Sequence, residues 1–156
     1  MLPLSAAEAA FLAAARTATM ATVAPDGRPR LVPICFVLSV ARNRDVDIER
    51  PVVYTPLDEK PKRSANARAL ARVRDLLVLP EVTLLAERWD EDWSRLAWLR
   101  AYGTAELLEP ESRERSEHAA ALAALREKYS QYRDQRLEER PVIRILVTRS
   151  VSWGAL

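Results

Sequence analysis

The chain has 156 residues, 49% of them apolar and 29% charged, with 24 basic against 22 acidic side chains. That is one domain in size, with the composition of an ordinary globular protein and a net charge of +2, too balanced to announce a nucleic-acid partner. One cysteine (Cys35) excludes an intrachain disulfide and a cysteine metal cage, one histidine (His118) excludes a histidine metal cluster, and three glycines leave no Gly-rich phosphate loop.

Ser5 and Glu8 have capping-box spacing, which predicts a helix from about Ala6 to Ala15. Thr17 to Val23 alternates as a strand, Pro25-Asp26-Gly27 is a turn, and Arg30 to Leu38 reads as the returning strand. Pro33 cannot donate to a ladder, which places it at an edge, a bulge or a bend. Cys35 within this apolar run reads as a buried small side chain.

Ala41 to Arg50 is charged and reads as a loop, followed by a third strand from Pro51 to Thr55. Beyond it, Lys60 to Arg74 holds six basic residues (Lys60, Lys62, Arg63, Arg68, Arg72, Arg74) and no acidic one. A strand emptying into a turn and a helix start offers backbone N–H groups, a favourable dipole and a hydroxyl, Thr55 or Ser64, to phosphate oxygens. The alternative is a solvated basic face. Ser64 to about Leu77 reads as a helix that Pro80 closes, and Val82 to Ala86 as a fourth strand.

Trp89 to Arg100 holds three of the four tryptophans, and part of it should pack on another surface, such as a second subunit. Leu96 to Leu108 reads as a long strand with Gly103 at a bulge or close approach. A helix from Glu109 to about Tyr129, with Glu111 and Arg115 four apart and His118 at the surface, leads to a last strand from Arg140 to Val147, ending near Trp153. Six strands in neighbouring antiparallel pairs give a mainly β fold, a barrel rather than a parallel α/β sheet. The Ala-rich start lacks a basic n-region, and no apolar run approaches the ~20 residues of a membrane span. The expected location is the cytoplasm, without membrane or nucleic-acid partners.

The order of elements, the stretch Ala21 to Pro29 leading into Leu31-Val32-Pro33, the Tyr54-Thr55 strand end before Lys60-Pro61-Lys62, and Pro80-x-Val82-Thr83-Leu84-Leu85 resemble the pyridoxamine 5′-phosphate oxidase-like split β-barrel flavoproteins. Asp92 to Ala105 and Trp153 are similar to a branch of coenzyme F420-dependent enzymes. The resemblance implies a six-stranded antiparallel split barrel of the FMN-binding type. It also implies a homodimer with two cofactor sites at its interface. By position, Thr55, Lys60, Lys62 and Arg63 would hold the cofactor phosphate at the end of the Tyr54 strand. Met20, Ala21, Pro33 and Ile34 would flank the ring, and Trp89, Trp93 and Trp98 would roof the pocket or meet the partner.

The implied activity is hydride transfer between coenzyme F420 and a small unsaturated acceptor, with FMN as the alternative cofactor. A non-catalytic binding module and a nucleic-acid binder are the readings from other classes. No triad, paired carboxylates or metal cluster names a catalytic residue. The family usually carries Asn where this chain has Asp75, a carboxylate that would repel a phosphate unless Arg72 or Arg74 neutralised it.

Overall fold

The computed structural model describes residues 2–43, 48–58, 70–111 and 113–156. The elements in chain order are α1 (Ala6–Ala14), β1 (Ala18–Val23), β2 (Pro29–Ile34), β3 (Val37–Asn43), β4 (Ile48–Pro56), α2 (Ala71–Val78), β5 (Glu81–Arg88), β6 (Ala97–Leu108), α3 (Arg115–Lys128) and β7 (Val142–Gly154). Among the described residues no helix is long and apolar enough to cross a membrane, which leaves membrane β-barrels unaddressed.

Local chemistry accounts for several boundaries. Ser5 Oγ accepts from the Glu8 N–H at 3.2 Å while the Glu8 carboxylate accepts from the Ser5 N–H at 2.8 Å, the reciprocal cap of α1. Gly27 takes a φ of 84° at the β1–β2 turn, where the Gly27 N–H donates to Ala24 O at 2.8 Å. α2 ends at Val78, before Pro80.

The seven strands among the described residues form one antiparallel sheet in the order β2-β1-β5-β6-β7-β4-β3. Its edges, β2 and β3, are joined only by Cys35 and Phe36. In a flat sheet those edges would stand about 29 Å apart, and so short a link reaches about 10 Å. The sheet therefore curls into a barrel. No β2–β3 ladder is present among the described residues, so the seam stays open.

Two expectations are corrected here. The run Arg30 to Leu38 is two strands, and most of Ala41 to Arg50 belongs to the β3–β4 ladder, giving seven strands among the described residues instead of six. An apolar run does not reveal that its two halves pair with different neighbours. At the break Tyr129 replaces the missing ladder: the Phe36 N–H donates to its Oη at 3.0 Å, and that Oη lies 2.8 Å from Phe36 O and 2.9 Å from Arg16 O. Pro33 lies on edge strand β2, where no outer partner among the described residues asks for its missing N–H.

Strand alternation divides the interior. Met20, Ile34, Val53, Leu57, Leu84, Leu99 and Ile145 fill the barrel. On the other face of β4, Val52 and Tyr54 pack with Leu122, Leu125 and Tyr132 beneath α3. That helix starts at Arg115, six residues later than expected, because Pro110 and its neighbours form a turn. His118 is likewise not a surface residue. It is 4% exposed, with Nε2 2.8 Å from Arg140 O, because it shares the i, i+3, i+4, i+7 face of Ala121, Leu122 and Leu125.

The β6–β7 register shifts at Tyr102/Gly103, and a Cβ on Gly103 would stand 2.5 Å from Leu146 O and 2.7 Å from Ile145 Cγ2. Gly103→Val is expected to lose about 1–3 kcal/mol of stability, read as a lower urea midpoint with an unchanged slope. A midpoint equal to the parent's would refute so close an approach of the two strands.

Candidate functional site

The end of β4 meets the start of α2 and the tail of α3. Thr55 is 2% exposed, on the barrel side of β4 shared with Val53 and Leu57. Asp58, 6% exposed, accepts from Tyr132 Oη at 3.0 Å, and Arg140 Nη1 donates to Leu57 O and Asp58 O, each at 3.1 Å. Leu57 and Asp58, the two residues after β4, are thereby fixed from the α3 side. Arg72 lies in the first turn of α2, in the same arc as the buried Val73, Asp75 and Leu76. Its Nε is buried and has no hydrogen-bond partner among the described residues. Burial pushes its guanidinium below the usual arginine range, and the charge of nearby Asp58 partly opposes that.

An arginine donor removed from water without a protein acceptor costs free energy until an anion meets it. Arg72 therefore fits a phosphate. The sequence presents it as one of six basic residues, and nothing local distinguishes it from the others; burial does.

The candidate phosphate ligands Lys60, Lys62 and Arg63 lie outside the described residues. Thr55 sits at the strand end as expected. Tyr54 faces α3, where its hydroxyl donates to Glu117 Oε1 at 2.5 Å. Arg144 donates through Nε to the same oxygen at 2.6 Å and through Nη1 to Glu106 Oε1 at 3.2 Å. Burial and then the Glu117 carboxylate push the Tyr54 hydroxyl well above the usual tyrosine value. Tyr54 thus serves the α3 contact rather than the barrel side that Thr55 faces.

The four candidate ring contacts divide between two faces of the β1–β2 hairpin. The side chains of Met20 (0% exposed) and Ile34 are enclosed in the barrel core, while Ala21 and Pro33, paired with Leu31 and Thr19, lie on the outer face. Only the outer pair is open to a ligand's ring.

That outer face continues across β5, β6 and β7, with Trp98 opposite Trp153 and Tyr102 opposite Arg149. Arg100 lies 4.9 Å from the Trp98 ring centre and Arg149 3.9 Å from that of Tyr102. Trp89, Trp93 and Trp153 are 68%, 72% and 54% exposed. Trp93 opens a short 3-10 turn capped by Asp92, whose Oδ1 accepts from the Ser94 N–H at 3.0 Å and from its hydroxyl at 2.6 Å. The expected packing of these tryptophans on another surface is not met within the chain itself.

Asp75 is 2% exposed, and its charge is answered by neither Arg72 nor Arg74. Arg30 Nε donates to Asp75 Oδ2 at 2.7 Å and Thr22 Oγ1 donates to the same oxygen at 2.9 Å. The carboxylate is spent on joining α2 to the first hairpin.

A second cationic cluster flanks the seam. Lys128 Nζ donates to Ala15 O at 2.7 Å and lies 4.4 Å from the Phe36 ring centre, and Arg16 Nη2 donates to Lys128 O at 2.8 Å. Half-buried Cys35 sits beside this cluster, so it is not fully enclosed. Burial, reinforced by the charge of Arg16 and opposed by Cys35, lowers Lys128 from 10.5 to about 8.

A family model described as pyridoxamine 5′-phosphate oxidase matches residues 4–154. No curated protein sequence matches the chain. Among solved structures, a conserved hypothetical protein from Mycobacterium tuberculosis superposes with a TM-score of 0.68 and 24% identity, over 98% of this chain and 86% of that one. A heme binding protein from Mycobacterium smegmatis gives 0.65 and 21%, over 99% and 56%. A protein described as an F420 reductase gives 0.57 and 18%, over 91% and 94%. At these identities the likenesses carry the fold alone.

The seam makes stability depend on pH in a definite sense. Between about 8 and 10.5 the unfolded chain holds the Lys128 proton and the folded chain has released it, so this group's contribution rises with pH across that window. Above 10, Tyr54 and Tyr129, raised by burial, work in the opposite direction. Urea midpoints measured at about pH 7.5 and about pH 9.5 should differ between the parent and Lys128→Met, with the rise smaller in the variant. Equal rises would remove Lys128 from the account.

Proposed function

Because the chain belongs to the pyridoxamine 5′-phosphate oxidase family, whose fold binds flavins, we propose that it is a coenzyme F420-dependent oxidoreductase. It would pass hydride between the deazaflavin and a small unsaturated organic acceptor in the cytoplasm. FMN is the second reading, since one phosphate and one tricyclic ring are common to both cofactors. The observation that carries the proposal is the buried Nε of Arg72, in the first turn of α2, which has no hydrogen-bond partner among the described residues.

In this reading Arg72 takes the cofactor phosphate, with Thr55 at the strand end and Lys60, Lys62 and Arg63 as further cations. Tyr132 and Arg140 hold Leu57 and Asp58 just beyond Thr55. Ala21 and Pro33 supply a small, smooth platform for the ring on the outer face of the first hairpin. When bound, the deazaflavin supplies a hydride-donating ring carbon. The protein's part is positioning and exclusion of water, without a covalent step of its own.

A second copy of the chain completes the site. Support comes from the uncovered aromatic outer face, where Trp93 and Trp153 stand open. Large apolar side chains in such a band are the composition of an interface.

Titration of the protein with F420 and with FMN tests this. Removing a charge-assisted contact in Arg72→Met should weaken the bound cofactor by about 10- to 100-fold, with the F420 affinity of the parent exceeding that for FMN. Preference for FMN would move the protein to the second reading, and binding of neither would end the cofactor assignment.

A further inference from the structure

The first hairpin carries another cation with unspent donors. Arg30 faces Thr22 in the β1–β2 register, and its guanidinium is gripped through Nε by the buried Asp75 carboxylate. Neither Nη of Arg30 has a hydrogen-bond partner among the described residues, and the side chain is 42% exposed. A guanidinium held at one corner by a carboxylate presents its remaining N–H groups as a fork of fixed direction, which a free surface arginine does not. Asp75 stands three residues after Arg72 on α2, a spacing that makes the two positions neighbours about 5–6 Å apart at Cβ. The carboxylate thus brings Arg30 to the helix within a turn of the orphaned Arg72.

We propose that Arg72 and Arg30 form a two-point anion site along α2, for a ligand carrying two separated anionic groups. A phosphate would meet Arg72, and a second phosphate or a carboxylate would meet the Nη fork of Arg30. This rests on the reading of Arg72 as the cofactor's phosphate ligand and deepens it. FMN offers one phosphate, whereas F420 offers a phosphodiester and then the carboxylates of its glutamate tail. Arg30 is then a specificity-determining residue between the two cofactors, and Asp75 is the residue that positions it.

The test compares F420 and FMN affinities in the parent and two variants. In Arg30→Gln/Asp75→Asn both charges go together, so no buried carboxylate is left unpaired and Thr22 keeps a side-chain oxygen to donate to. In Arg30→Lys an ammonium remains to satisfy Asp75 but the fork is lost, which keeps the question answerable if the double variant does not fold. F420 affinity should fall by about tenfold in either variant, with FMN affinity held within about twofold. Equal losses for both cofactors, or no loss of F420, would overturn the two-point site while leaving Arg72 as a phosphate ligand. A parent that binds neither cofactor would overturn both.

Discussion

The Tyr129 hydroxyl is the contact on which the barrel depends. A seven-stranded sheet can curl only if its two edge strands meet, and here they meet through a joint of Cys35 and Phe36, too short to pair with itself. Both backbone polar groups of Phe36 would be stranded in a residue that is fully buried. One hydroxyl answers both, and its position is set by the last turn of α3, which Arg16 and Lys128 tie to the end of α1. An unmet buried peptide group costs about 1–3 kcal/mol. The joint at Cys35-Phe36 in turn permits the burial of Met20, Leu84 and Leu99, because each of them lines a space that exists only once β2 and β3 have been brought near each other.

A second constraint fixes where the candidate site falls. β4 sends Val53 and Leu57 into the barrel and Val52 and Tyr54 beneath α3, so it is held from both sides up to its last residue. Arg144 strengthens the α3 side. A cation 5% exposed is expensive to bury alone, and Glu117 and Glu106 offset that cost while Tyr54 completes the group. The strand end therefore arrives at a defined place, and the Leu57 and Asp58 carbonyls just after it are clamped by Arg140.

What the sequence revealed divides along the range of the interactions. Ser5 with Glu8, Pro25-Asp26-Gly27, Pro33 and Gly103 each signal their role within a few residues, and each was legible. The strand break at Cys35-Phe36 was not, since an apolar run looks the same whether it pairs with one neighbour or two. His118 was misread because charged neighbours masked a helical face that the spacing of Ala121, Leu122 and Leu125 displays. At the candidate site, charge points to the stretch after Thr55 but does not single out Arg72 from the other cations. Its distinction is burial without a partner, which depends on where Asp58 and the barrel end fall in space.

Asp75 shows the same limit in its sharpest form. Read locally, a carboxylate in a basic helix beside a phosphate site is an electrostatic fault, and the nearest candidates to mend it were its own neighbours, Arg72 and Arg74. The partner is Arg30, 45 positions away in sequence. With that pairing the sign of the argument changes. The carboxylate's charge is consumed by a guanidinium and a hydroxyl from the first hairpin, so it no longer opposes an anion at Arg72. The bond it makes also draws a second cation toward the helix. An asparagine could accept the Thr22 hydroxyl, but its neutral oxygen would hold Arg30 less firmly. On this account the acid at position 75 does not weaken the anion site; it is the reason that a second positive group stands beside it.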